Sequence, residues 1–248
     1  MSFLKAQWRK LLMANYAVEP QLLMPYLPHG CELDLWHGTC YVSLVGFMFQ
    51  DTRLLGIKIP FHVNFEEVNL RFYVKCPDTS QKGAYKRGVV FIKEIVPKPA
   101  LTWVANTLYK EHYQTLPMRH FWRETQEKKG DSPKPILEVG YEWKNQKAAQ
   151  WQTFQAKALH TAQPLEVGSE AEFITEHYWD YTYLSATKTS EYEVRHPRWA
   201  VYPILSYHIA VDFGATYGQN FSFLTESEPK SVFLAEGSEI SVEMFEKA

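Results

Sequence analysis

The chain has little positive charge to spare. It carries 26 Lys and Arg against 28 Asp and Glu, for a formal net charge of -2, and no long run of either base. Counterion release from nucleic acid and attraction to anionic lipid both need such an excess, so neither partner is expected. Long apolar runs are also missing, which excludes a helical membrane span. The N-terminal patch Leu11-Leu12-Met13-Ala14 is too short for an export signal. Cysteine is scarce: Cys31, Cys40 and Cys76 form no C-x-x-C pair, and their odd number together with the missing signal predicts a reducing cytosol. There is no G-x-G-x-x-G, P-loop, G-x-S-x-G or H-E-x-x-H, which removes the commonest nucleotide, hydrolase and zinc-protease readings. Nine histidines show no compact ligand spacing, so neither a metal nor another cofactor is expected. No internal repeat and no linker divide the chain, which reads as one domain over 1–248.

Aromatic residues are plentiful, at 15%, within 46% hydrophobic content. An ordered globular core follows, with some Trp and Tyr tips needing partners inside it or at a cavity. The β-branched and aromatic runs predict strands over Trp8–Tyr16, Glu32–Trp36, Cys40–Phe49, Phe65–Val74, Val89–Val96, Leu116–Glu124, Tyr181–Val194, Phe221–Leu224 and Ser231–Val242, the last broken at Glu236-Gly237-Ser238. A loop over Gln126–Pro135 and a hairpin turning at Lys144–Lys147 complete the middle of the chain. Short helices are expected after Pro20, after Pro99, and from the capping box Ser169-Glu170-Ala171-Glu172 to about Tyr178. Trp199–Phe213 is ambiguous between strand and helix. Many strands with few short helices predict a mainly β fold, a closed or nearly closed, mostly antiparallel barrel. Asp51–His62, carrying Leu54, Leu55, Ile57 and Ile59, would cover one mouth of it.

Two strands carry charges at covered positions. In Val89–Val96, alternation places Val89, Phe91, Lys93 and Ile95 on one face and Val90, Ile92, Glu94 and Val96 on the other. Both faces are apolar, so Lys93 and Glu94 each need a partner, water or a wet cavity. In Phe65–Val74, Val68, Leu70, Phe72 and Val74 form an apolar face opposite Phe65, Glu67, Asn69, Arg71 and Tyr73. Glu67 and Arg71 lie about 13 Å apart along one strand, too far to pair with each other. The pattern fits a solvated sheet face and a polar barrel lumen equally. In a lumen, Arg71 would hold a carboxylate through two hydrogen bonds. Glu67 would be an acid or base if burial raised its pKa. Lys98, between Pro97 and Pro99, is read either as a surface lysine or as a desolvated amine able to form a Schiff base.

Phe65-Glu66-Glu67-Val68-Asn69-Leu70-Arg71-Phe72-Tyr73-Val74 with Arg87-Gly88-Val89-Val90-Phe91 resembles the YqjF-like family of uncharacterised bacterial proteins, as do Leu35-Trp36 through Val45 and the closing Ser231–Gly237. The resemblance covers nearly the whole chain. That family is similar, distantly, to acetoacetate decarboxylase, which implies a mostly antiparallel closed β-barrel around a funnel-like cavity. It would place the catalytic glutamate at Glu67 and the Schiff-base lysine at Lys98. The decarboxylase has a second lysine where this chain has Pro99, so the perturbing charge would come from Lys93, Arg87 or Arg119 through space. Three functions are therefore expected in competition. They are a cytosolic barrel binding a small carbonyl- or carboxylate-bearing molecule through Arg71, Asn69, Lys93, Glu94 and Arg119; a cofactor-free lyase acting on a β-keto acid through Lys98 and Glu67; and a packed barrel serving only as an interaction protein. An exposed barrel strand leaves room for a homodimer.

Overall fold

Strand periodicity dominates the tertiary structure. The computed structural model describes residues 2–128, 133–145 and 150–243. In chain order the strands are β1 (Ser2–Ala17), β2 (Glu32–Leu33), β3 (Tyr41–Leu54), β4 (Phe65–Pro77), β5 (Tyr85–Val96), β6 (Tyr113–Thr115), β7 (Met118–Lys128), β8 (Pro133–Lys144), β9 (Trp151–Leu159), β10 (Trp179–Ser185), β11 (Lys188–Arg195), β12 (Val201–Tyr202), β13 (Ile204–Ala210) and β14 (Ser231–Glu243). Three short α-helices accompany them: α1 (Pro99–Val104), α2 (Glu170–Thr175) and α3 (Phe213–Tyr217). Among the described residues no helix is long and apolar enough to cross a membrane. The centre of the expected Gln126–Pro135 loop and the second half of the expected turn at Lys144–Lys147 lie outside the described residues.

Hydrogen-bonded neighbours run β4-β3-β1-β14-β11-β10-β5, and β5 pairs back with β4. The sheet is therefore a nearly closed ring, as the strand count predicted. Its narrowest join is β5 to β10, a parallel pairing of only Trp179 with Gly88 and Asp180 with Val89. The other joins of the ring are antiparallel. A second, four-stranded sheet, β13-β9-β8-β7, packs on the outside. There Tyr141 lies so close over β3 that a Cβ on Gly46 would come within 2.7 Å of its ring.

Each face of the ring strands has its own core. Outward-facing Leu44, Val68, Leu70 and Phe72 pack with Val139, Trp143 and Phe154 of the second sheet. Inward-facing Met13, Phe47, Phe49, Phe65 and Val89 form another cluster. Every one of these is buried, so period-two alternation divides the apolar residues between two cores.

Several expectations need correction. Phe221–Leu224 is no strand: it lies in a 3-10 helix over Gln219–Thr225, where Phe221 and Leu224 are the buried residues. Positions three apart share one face of a 3-10 helix, which buries both at once. β14 is not broken at Glu236–Ser238, because Gly237 adopts φ +81° and carries the strand beneath the Trp8 carbonyl. Pro20 opens two successive 3-10 turns rather than one helix. Ser169 caps α2 as expected, accepting from the Glu172 amide at 3.2 Å, but the helix ends at Thr175. The thiols are not all free either: Cys31 and Cys76 form a disulfide across 45 residues, and Cys40 stays unpaired and buried. That pairing joins the stretch before β2 to the end of β4, a proximity that residue spacing does not reveal.

β5 departs from strict alternation. Leu70 pairs with Lys93, but Arg71 pairs with Phe91, leaving Ile92 as an extra residue. One extra residue resets the side-chain phase. Phe91 and Glu94 consequently face the same interior, while Lys93 turns outward and donates to the Thr216 carbonyl.

Candidate active site: a carboxyl-floored cavity

The ring is not packed solid. It encloses a cavity of about 1140 Å³. Apolar walls come from Trp8, Phe47, Phe49, Phe65 and Phe91, and the floor is polar. The expected Asp51–His62 excursion does reach one rim, through Leu54, Ile59 and His62, with Leu101 and Val104 of α1 also lining it.

β4 supplies three floor residues at alternate positions, Glu67, Asn69 and Arg71, because its opposite face is committed to the outer core. This decides between the two readings of that face: it is a lumen. Glu67 is 2% exposed. Its Oε1 accepts from Asn69 Nδ2 at 2.9 Å, and its Oε2 from the Tyr113 hydroxyl at 3.4 Å. Asn69 pairs across the sheet with Glu94, and Glu94 with Tyr113, so three strands line up a polar row. Tyr113 is fixed by Asn106, whose side-chain amide both donates to its carbonyl and accepts from its N–H, each at 2.8 Å.

Four more floor residues have no counterpart in the sequence reading. Asp180 on β10 stands opposite Tyr192 on β11 and hydrogen-bonds to it. Glu111 follows Lys110, which leaves the helical path with φ +61°, and accepts from the Thr182 hydroxyl at 2.7 Å. Tyr113 comes from the three-residue β6. Asp180 had a signal, a lone acid in the alternating run Trp179-Asp180-Tyr181-Thr182-Tyr183. Glu111, Tyr113 and Tyr192 had none, because loop geometry and strand pairing bring them in.

The floor thus gathers Glu67, Glu94, Glu111 and Asp180 around one guanidinium. Burial is the main force on all four, disfavouring the charged form. It pushes Glu67 and Glu111 up to about 7, with the Glu111 charge adding to the effect on Glu67. Asp180 rises to about 8, burial acting first and Glu111 next. Glu94 is raised well above the carboxylate range by burial and then by Glu67 and Glu111. Arg71 opposes this by holding positive charge near Glu67 and Asp180. Its own contacts are weak: the Met13 sulfur at 3.9 Å and the Tyr73 ring at 5.8 Å, with Nε unpartnered.

Three of the expected site residues lie elsewhere. Lys98 precedes α1 and does not line the cavity; its charge acts on Glu66. Glu66 and Glu67 are strand neighbours, so they point to opposite faces, and Glu66 binds His120 at 2.6 Å on the outside. Lys93 is turned away by the bulge at Ile92. Arg119, on the second sheet, pairs with Glu142 and covers the Trp151 ring at 4.2 Å. Glu67, Asn69, Arg71 and Glu94 do come together. Among the described residues, Lys188 is the one lysine on the cavity lining.

Solved structures share the architecture. Acetoacetate decarboxylase from Legionella pneumophila superposes with a TM-score of 0.59 at 12% identity, over 96% of this chain and 84% of that one. The enduracididine biosynthesis enzyme MppR, complexed with the condensation product of pyruvate and imidazole 4-carboxaldehyde, gives 0.60 at 10% identity, over 98% and 87%. An acetoacetate decarboxylase-like enzyme from Sphingomonas wittichii RW1 gives 0.59 at 12%, over 98% and 91%. At such identity these similarities establish the fold alone. In sequence, the uncharacterized protein YqjF of Bacillus subtilis is 32% identical over 72 residues, a match spanning 29% of this chain and 30% of that protein. The family model for DUF2071, described as an uncharacterized conserved protein, matches residues 5–239, and the chain belongs to that family.

Proposed function

We propose that the protein binds a small organic molecule in the ring cavity, with an apolar body against the aromatic walls and a carbonyl or carboxylate against Arg71 and Asn69. The observation that carries this is a roomy interior whose polar floor is left incomplete. Arg71 Nε and Asn69 Oδ1 are buried without hydrogen-bond partners. Buried polar atoms are nearly always satisfied, and a bound ligand is one way to satisfy them. The volume supports a ligand reading over a solidly packed interaction barrel. Carboxyls poised near neutral pH would also suit Glu67 to proton transfer on whatever binds.

The test is a fragment panel read by native mass spectrometry and thermal shift. Carboxylate and ketone fragments should bind the wild type, and Arg71→Leu should weaken them by about 10–100-fold, the worth of one charge-assisted hydrogen bond. Failure of every such fragment to bind, or equal binding by the variant, would refute this placement.

A Schiff-base lyase through Lys98 draws no support from the geometry, since an imine must form where the substrate sits. Borohydride added with pyruvate or acetoacetate should leave Lys98 and Lys93 unmodified on peptide mapping. A reduced adduct on either lysine would restore that chemistry.

A further inference from the structure

Charge on the cavity lining is lopsided. From β4 come Glu67 and Arg71, from β5 Glu94, and from β10 Asp180. Glu111 and Tyr113 face them from the β6 side, and Tyr192 from β11. The lining also includes Lys188 and Glu191 of β11, Glu243 of β14 and His62. The Arg71 charge also reaches His177 and His196, both held neutral mainly by burial. One guanidinium therefore faces four floor carboxyls.

A second observation turns this cluster into a site. Glu94 is 2% exposed and lines the cavity; Tyr113 hydrogen-bonds to its carboxyl, but its Oε2 is left buried with no hydrogen-bond partner. The carboxyls do not form a cage for a metal: among the described residues no three His, Cys, Asp or Glu are arranged to hold one. A larger cation with its own hydrogen-bond donors fits the space instead. Above the floor the walls are aromatic, and Trp, Tyr and Phe faces attract organic cations.

Resting on the binding function proposed above, we infer that the ligand also carries a basic nitrogen, an amine or guanidine, which donates to Glu94 Oε2 between Glu111 and Asp180. Its carbonyl or carboxylate end would lie towards Arg71, so the ligand is amphoteric or a basic carbonyl compound. Binding the cation requires the floor to ionise, so protons leave the protein as it enters.

The experiment uses the whole protein and three probes of one skeleton: 3-phenylpropylamine, 3-phenylpropionate and 3-phenylpropionamide. Calorimetry at pH 6, 7 and 8, in two buffers of different ionisation enthalpy, reads affinity and proton release together. The amine should bind more tightly as pH rises, by 3-fold or more per unit, with proton release, and Glu94→Gln should weaken it at least 10-fold while leaving the amide within 2-fold. If the carboxylate or amide binds and the amine does not, the inference fails and the binding function stands. Amine binding that is independent of pH and of Glu94→Gln also overturns it. If none of the three binds, both fail.

Discussion

Unfolding free energy should fall by about 3 kcal/mol between pH 6.5 and 8.5, which is large against the 5–15 kcal/mol typical of a domain. The sign follows from which state holds the protons. Glu67, Glu94, Glu111 and Asp180 all have pKa values raised in the folded protein, mainly by burial. Their unfolded counterparts ionise near pH 4, so above that the folded state binds more protons. Stability contributed this way is fully present at low pH and is lost as pH climbs through the folded values. Each carboxyl adds about 1.4 kcal/mol of loss per pH unit while only its unfolded form is ionised. Glu67 and Glu111 do so to about pH 7 and Asp180 to about pH 8, and Glu94, raised mainly by burial, acts in the same direction.

The window matters because other groups act below it. His177 and His196 are pushed down to about 4 by burial, so their unfolded forms take up protons below about pH 6.5 and oppose the trend there. Asp34, Glu66 and Glu236 are held below the carboxylate range despite burial, Asp34 by His177 and Arg87, Glu66 by His120 and Glu236 by Lys10, and they stay ionised above pH 6.5 in either state. Urea titrations at pH 6.5, 7.5 and 8.5 isolate the floor. Asp180→Asn and Glu94→Gln should each flatten the slope, whereas a wild-type stability that is level or rises across this range would show that the floor is already ionised.

Gly88→Ala should destabilise the protein by about 3 kcal/mol and abolish ligand binding in the cavity. Gly88 lies at the narrow join between β5 and β10, where the ring has only two residue pairs. A Cβ there would stand 2.4 Å from the Trp179 carbonyl oxygen and 2.6 Å from the Tyr181 ring. A ring can swing aside, but that carbonyl belongs to a strand pinned from its other side by Trp179 pairing with Glu193. Relief therefore requires β10 to part from β5, which carries Asp180 away from Glu94 and opens the floor. Chemical melts and the fragment panel measure the two consequences separately. A loss under about 1 kcal/mol with binding intact would mean that the join is dispensable.

Much of the candidate site was legible because β4 is regular. Alternation over Phe65–Val74 assigned Glu67, Asn69 and Arg71 to one face without knowledge of any partner strand, and that face is the lumen. The same rule misled at β5. A single inserted residue, Ile92, moved Glu94 onto the side of Phe91 and sent Lys93 outward. Lys98 misled for a different reason: a lysine following an apolar strand suggests desolvation, but Lys98 stays off the cavity lining just before α1, and its charge acts on Glu66. Asp180 fell just before the expected Tyr181–Val194 strand and was passed over, whereas Glu111 reached the floor only because Lys110 adopts a left-handed conformation.

The amino-acid sequence by itself determined the mainly β class, the two-sided burial of the ring strands, the helix starts at Pro99 and Ser169, and the polar face of β4. All of these rest on local periodicity and backbone preference, which act over a few residues. Tertiary structure alone decided that the ring stays hollow, that Cys31 meets Cys76, and that carboxyls from positions 67, 94, 111 and 180 share one floor. Those facts depend on strand register, a bulge and loop closure between distant segments, and no local pattern encodes the distance between them.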